Sequence, residues 1–216
     1  MSKIIEVNGM IIKSKVVAEY DRLITILTLE KGKIYVFVNG ARKQGSSFMG
    51  ISREFLYGKF KIYENRNSYN LQSAVIVNYF EEITKDMEST CYGAYFLELT
   101  DYYTREYVID VPTLKLLYCA LLAILKPSLE NKLVRRIFEL RMMSENGDYE
   151  NLENEKMNES TIFAINYVLT TPVEKLFTFS LKREINDEFS EVVDKLLRDR
   201  VTKQINSLEI LNIVCT

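Results

Sequence analysis

Over residues 1 to about 80 the hydrophobic positions recur with a period of two, and beyond residue 81 the spacing becomes that of helices. The alternation is strictest from Lys33, where Ile34, Val36 and Val38 point one way and Lys33, Tyr35, Phe37 and Asn39 the other. Residues 10–17 (MIIKSKVV) read as a first strand, and Asp21 and Arg22 open a second that runs to Leu29. Residues 30–33 (EKGK) form a turn in which Gly32 supplies the positive φ of a tight hairpin. The third strand runs into a basic loop, NGARK, followed by a flexible connection marked by Gly45 and Gly50. Residues 53–63 (REFLYGKFKIY) read as a fourth strand. Phe55, Tyr57, Lys59, Lys61 and Tyr63 lie on one face and Leu56, Phe60 and Ile62 on the other, with Gly58 placed for a bulge. A polar turn at 65–68 leads to a fifth strand over 69–77. Five short strands in this space fit an OB-like barrel, and an SH3-like barrel fits the periodicity almost as well.

The second half reads as an all-α domain, residues 81–216, so the fold class is α+β with a boundary near residue 80. Residues 81–104 place Ile83, Met87, Tyr92, Tyr95, Phe96, Leu99 and Tyr103 on one helical stripe. A second helix starts at Asp110-Val111-Pro112, is apolar nearly all round and stops at Lys126-Pro127. Ser128 is placed to cap a third helix through LVRRIFELRMM, which Gly147 closes. Residues 144–160 are acidic and poor in hydrophobes, which predicts an exposed loop. Further helices are expected over 161–169, from a capping box at Thr171-Pro172-Val173-Glu174, and over about 187–205, where Phe189, Val192, Val193, Leu196, Leu197 and Val201 face inward. The ending SLEILNIV is apolar enough to dock on the bundle.

Charge separates the halves further. Residues 1–80 carry 12 Lys/Arg against 6 Asp/Glu, and residues 81–216 carry 16 against 24. A basic barrel followed by an acidic helical domain favours a polyanionic partner for the first. Arg22, Lys31, Lys33, Arg42, Lys43, Lys59 and Lys61 are the candidate phosphate contacts, and Tyr35 and Phe37, with Tyr57 and Tyr63, the candidate base platforms. On the third helix, Arg135, Arg136 and Arg141 lie among apolar residues, a pattern suited to an acidic, aromatic-ended peptide. The competing reading pairs them with Glu130, Glu139 or Glu145 on the same helix.

The chain has no histidine, which removes Ser-His-Asp, Cys-His and HExxH chemistry. Cys91, Cys119 and Cys215 show no CxxC spacing, so neither a zinc ribbon nor a disulfide framework is expected, and reduced thiols in a cytoplasmic protein fit better. No catalytic residues, metal or cofactor are expected. No secretory signal is visible, and the longest apolar run, 108–125, is interrupted by Asp110, Pro112 and Lys115.

Two barrel motifs, EYDRLITILTLEKGK (19–33) and NGARKQGSSFMG (39–50), stand ahead of LVRRIFELRMM (133–143) and the ending INSLEIL. In this order they resemble the RecO family of bacterial recombination mediators, over nearly the whole chain. The resemblance implies an OB barrel and a helical domain acting without reaction chemistry in DNA repair, at the nucleoid. It implies binding of single- and double-stranded DNA, strand annealing, and help in loading the RecA recombinase onto strands coated by single-stranded-DNA-binding protein. It implies RecR and the acidic C-terminal tail of the coating protein as partners, and no membrane. Many relatives carry paired CxxC motifs after the central helix, where this chain has its acidic stretch. The alternatives are an RNA- or ribosome-binding OB module with a helical dimerisation domain, or a nuclease built on carboxylates, for which metal-site spacing is missing.

Overall fold

The computed structural model describes residues 3–66, 68–149 and 157–215. Among them are five strands, β1 (Lys3–Val16), β2 (Arg22–Thr28), β3 (Gly32–Val38), β4 (Tyr57–Glu64) and β5 (Tyr69–Asn78), which close into a barrel in the order β1-β2-β3-β5-β4. Six α-helices follow: α1 (Met87–Tyr103), α2 (Val111–Ala123), α3 (Asn131–Glu145), α4 (Glu159–Thr170), α5 (Arg183–Arg200) and α6 (Asn206–Val214). The fold is α+β, and its barrel is OB-like. All strand pairs are antiparallel except β3 with β5, which meet in parallel at Val36–Tyr69 and Phe37–Asn70.

The barrel closes because β1 is long enough to pair with β4 through its first half and with β2 through its second. The sequence pattern shows only the second half, from residue 10. In the first half Val7 and Ile5 pack into the barrel core while Ile4 and Glu6 are exposed. Gly9 and Gly58 face each other across the β1–β4 pair. A Cβ at Gly9 would lie 2.3 Å from the Leu27 carbonyl oxygen, and one at Gly58 2.4 Å from that of Val75. Two backbones therefore approach where only glycine fits, and the expected irregularity occurs between Tyr57 and Gly58. Residues 53–56 are not strand; Phe55 adopts φ +69° and is buried beside the start of β4. The inward rows behave as expected: Ile24, Ile26, Ile34, Val36, Val38, Phe60 and Ile62 are buried in one core.

Contacts divide the chain into two compact units, Met1–Glu81 with Thr100–Leu114, and Glu82–Leu99 with Lys115–Thr216. The barrel unit thus includes the end of α1 and the connection to α2. In this unit the Asp110 carboxylate accepts the Thr113 amide at 3.0 Å, with Pro112 in the first turn.

In the helical unit Phe96 and Phe138 stack at 4.4 Å between centroids, and Tyr95, Leu117, Phe138 and Phe189 are fully buried. Met87, expected on the inward stripe, is 71% exposed at the helix start. Ser128 does not cap α3; Glu130 holds the cap position and its side chain makes no cap bond. Gly147 closes that helix at φ +77°, its amide bonded to the Ser144 carbonyl. Asn158 caps α4 through its side chain. Thr171 ends α4, and the expected capping box yields only a short 3-10 turn, Val173–Lys175. Helix α5 lies a turn earlier than the spacing suggests, with Phe189, Val192, Val193, Leu196 and Leu197 buried. Of the acidic stretch expected as a loop, 144–160, residues 150–156 lie outside the described residues, while Ser144 and Glu145 end α3 and Glu159 and Ser160 begin α4.

Candidate nucleic-acid interface

Alternation along β3 predicts an outer row presenting Lys33, Tyr35 and Phe37 together, and the structure grades them from covered to open. Lys33 is 6% exposed, and its ammonium donates to the Asp101 carboxylate at 2.9 Å and to the Asp101 carbonyl at 2.7 Å. Lys13 reaches the same carboxylate at 3.2 Å. An ammonium survives burial only with such partners. Burial pushes the Asp101 carboxyl upward, but the bonds and charges of Lys33 and Lys13 outweigh it and hold the group below the usual aspartate range. The Tyr107 amide donates to the Lys33 carbonyl at 3.1 Å, and Glu106 bridges to Lys33 in parallel register. Tyr35 is half-buried; burial and its bond to Glu106 raise its phenol pKa. Only Phe37, 39% exposed, remains open. Lys33 is therefore not available to a phosphate. It fastens the 100–114 connection onto the barrel, a role no local pattern reveals because its partner lies 68 residues away.

Beyond Phe37 the two barrel motifs meet. Gly40 turns the chain at φ +69°, and its amide donates to the Asp21 carboxylate at 2.7 Å. The Arg42 amide donates to the Tyr20 carbonyl at 2.9 Å, and its guanidinium to the Glu19 carbonyl at 3.1 Å. The Lys43 ammonium sits over the Tyr20 ring, 5.8 Å from its centroid. Arg42 and Lys43 are exposed, and among the described residues neither pairs with a carboxylate. This end of the barrel is thus cationic, anchored by backbone bonds and flanked by exposed Val16, Val17 and Tyr20. Tyr20 escapes the sequence pattern because it lies in a turn, where alternation says nothing.

The other expected cations are distributed elsewhere. Arg22 is half-buried and donates to the Ser14 hydroxyl at 2.9 Å, bracing β1 against β2. Lys31, at the opposite end of β3, pairs with Glu64 at 2.8 Å and lies over the Tyr69 ring. That bond raises the lysine's pKa and lowers the glutamate's. Lys59 and Lys61 are exposed on β4 but share Glu6, at 3.9 and 3.3 Å. Tyr57 and Tyr63 are half-buried.

The three helical arginines are engaged internally. Glu139 is fully buried and accepts from Arg135 at 2.8 Å, from Arg136 at 2.8 Å and from the Tyr95 hydroxyl at 2.6 Å. Arg136 also reaches Asp194 at 3.1 Å. Burial pushes the Glu139 carboxyl up, and the two guanidiniums and Tyr95 more than reverse this, leaving it below the usual range. Arg141 pairs with Glu145 at 2.8 Å and donates to the Val168 and Leu169 carbonyls. The same-helix pairing holds for all three, so none is a free cation for an acidic peptide. No group of three or more histidine, cysteine, aspartate or glutamate side chains among the described residues is arranged to hold a metal. No helix among the described residues is long and apolar enough to cross a membrane.

Comparison with known proteins agrees with this two-part layout. The family model described as "Recombination protein O N terminal" matches residues 1–80, and "Recombination protein O C terminal" matches residues 84–153. The chain is 22% identical over 240 residues to the DNA repair protein RecO of Clostridium novyi, covering 97% of this chain and 94% of that protein. It is 24% identical over 237 residues to that of Clostridium acetobutylicum, with 95% and 96% covered. With that of Caldicellulosiruptor saccharolyticus it shares 27% identity over 222 residues, covering 95% and 88%.

Proposed function

The chain belongs to the RecO family of bacterial DNA repair proteins, and from that premise we propose that it is a DNA-binding recombination mediator working without catalytic chemistry. It binds single- and double-stranded DNA, promotes annealing of complementary strands, and helps load recombinase onto strands coated by single-stranded-DNA-binding protein. The observation that carries the DNA-binding part is the exposed Arg42–Lys43 pair, held by backbone bonds at one end of an OB-like barrel. Loops at this position and cations that no carboxylate neutralises are what a phosphate backbone needs. Phe37 lies at the same end of β3 as a candidate stacking surface, and Lys59 and Lys61 are secondary contacts moderated by Glu6.

RecR and the acidic tail of the coating protein are the proposed protein partners, on the strength of family membership. The tail contact is assigned to no residue, because Arg135, Arg136 and Arg141 are committed within the helical unit. The test is annealing of complementary strands coated by single-stranded-DNA-binding protein, with and without this protein. Acceleration is expected, and its absence contradicts the mediator role.

A further inference from the structure

We propose that Tyr20, in the turn between β1 and β2, is a base-stacking platform for single-stranded DNA, with Lys43 and Arg42 as its phosphate partners. This rests on the DNA-binding function proposed for the barrel and adds to it a contact on a different element from the β3 and β4 rows.

Four observations converge on this residue. Its ring is 45% exposed in a turn whose Val16 and Val17 are also exposed, at 53% and 46%. A sugar or base edge would meet an apolar shoulder there rather than a solvated one. The turn is nevertheless fixed. The Tyr20 carbonyl accepts the Arg42 amide, the Asp21 carboxylate accepts the Gly40 amide, and the Val17 amide donates to the Asp21 carbonyl at 3.3 Å. A platform held in place loses little freedom when a base stacks on it. The Lys43 ammonium lies over one face of the ring, 5.8 Å from its centroid, so a base stacking on the opposite face has a cation close by for its phosphate. Finally, Tyr69 and Tyr35, the other tyrosines set beside charged groups on the barrel, are less open. Tyr69 is half-buried under a lysine that Glu64 neutralises, and Tyr35 is half-buried against Glu106. At Tyr20 the nearby carboxylate is Glu19, whose bond to the phenol raises its pKa.

The chain contains no tryptophan, so Tyr20→Trp introduces a single indole at the proposed platform. Titration of this variant with oligothymidylate is expected to quench its fluorescence with affinity near that of the parent. Tyr20→Ala is expected to weaken oligothymidylate binding by about tenfold and duplex binding much less, because paired bases offer no free face. Arg42→Ala with Lys43→Ala is expected to weaken both. A Tyr20→Trp variant that binds without quenching overturns the platform, as does Tyr20→Ala binding like the parent. If either occurs while the Arg42/Lys43 variant is weakened, the DNA site stands and only the platform falls. If the Arg42/Lys43 variant binds normally as well, the site itself falls. A quenched indole establishes the contact even if Tyr20→Ala proves poorly folded.

Discussion

Lys33 donates to both the side-chain carboxylate and the main-chain carbonyl of Asp101, at 2.9 and 2.7 Å, and so ties the barrel to a segment far along the chain. The consequence is functional. Strands 2 and 3 are the usual ligand face of an OB barrel, yet here the lower part of that face holds Asp101, Glu106 and Tyr107 of the same unit. On β3 this leaves uncovered the end that opens into the GARK loop, where the proposed DNA contacts of that strand lie.

Lys33→Met should therefore act on stability rather than on DNA. Losing this charged bond is expected to lower unfolding free energy by about 2 kcal/mol, somewhat less to the extent that water and Lys13 still serve Asp101. Denaturant midpoints and DNA anisotropy together check it: a lower midpoint with unchanged affinity is expected. The pH dependence follows in sign. Asp101 has a lower pKa folded than unfolded, so its stabilising contribution is complete above the ordinary aspartate range and is lost as pH falls through the folded value. In Lys33→Met that acid-side loss should shrink.

Glu139→Gln tests the buried cluster. It leaves Arg135 and Arg136 without their shared charge and is expected to destabilise by on the order of 3 kcal/mol, whereas Tyr95→Phe should lose only about 1 kcal/mol. Glu139 also titrates below its unfolded value, so its contribution too is present above the ordinary glutamate range and lost in acid. Urea unfolding across acidic pH reads both effects. Arg136→Ala should be destabilising for the same reason, and weak partner binding by that variant would report misfolding.

Gly32→Ala is expected to be strongly disruptive. The residue sits at φ +66°, and a Cβ would lie 2.0 Å from the Val108 carbonyl oxygen. Positive φ alone is worth about 1 kcal/mol, and the clash forces the hairpin or the 106–108 backbone to move. A lowered melting temperature, with hydrogen exchange increased in both segments, is the expected readout.

Glu6→Gln should strengthen DNA binding at low salt, because it releases Lys59 and Lys61 from their shared carboxylate. The pairs are exposed, so the gain is modest, roughly two- to fivefold, and should vanish as salt rises. Unchanged affinity at low salt would remove β4 from the DNA surface.

Period-two alternation reports burial directly, which is why Ile34, Val36, Val38, Phe60 and Ile62 are legible as core. It says nothing in turns, as at Tyr20. The arginine–glutamate pairing in α3 is legible from its three- and four-residue spacing. The fate of Lys33 is not, because periodicity places a residue on a face without saying what covers that face. Residue type alone marks Ser128 and Thr171 as caps, and neither is used that way.

The most direct measurement is the salt dependence of single-stranded DNA affinity for the parent chain and for Arg42→Ala/Lys43→Ala. The parent should weaken steeply with salt and show little sequence preference. The double variant should bind less tightly, with a log–log slope shallower by about 1.4, two phosphate contacts on a single strand. Equal slopes and equal affinities would contradict the assignment of this end of the barrel to DNA.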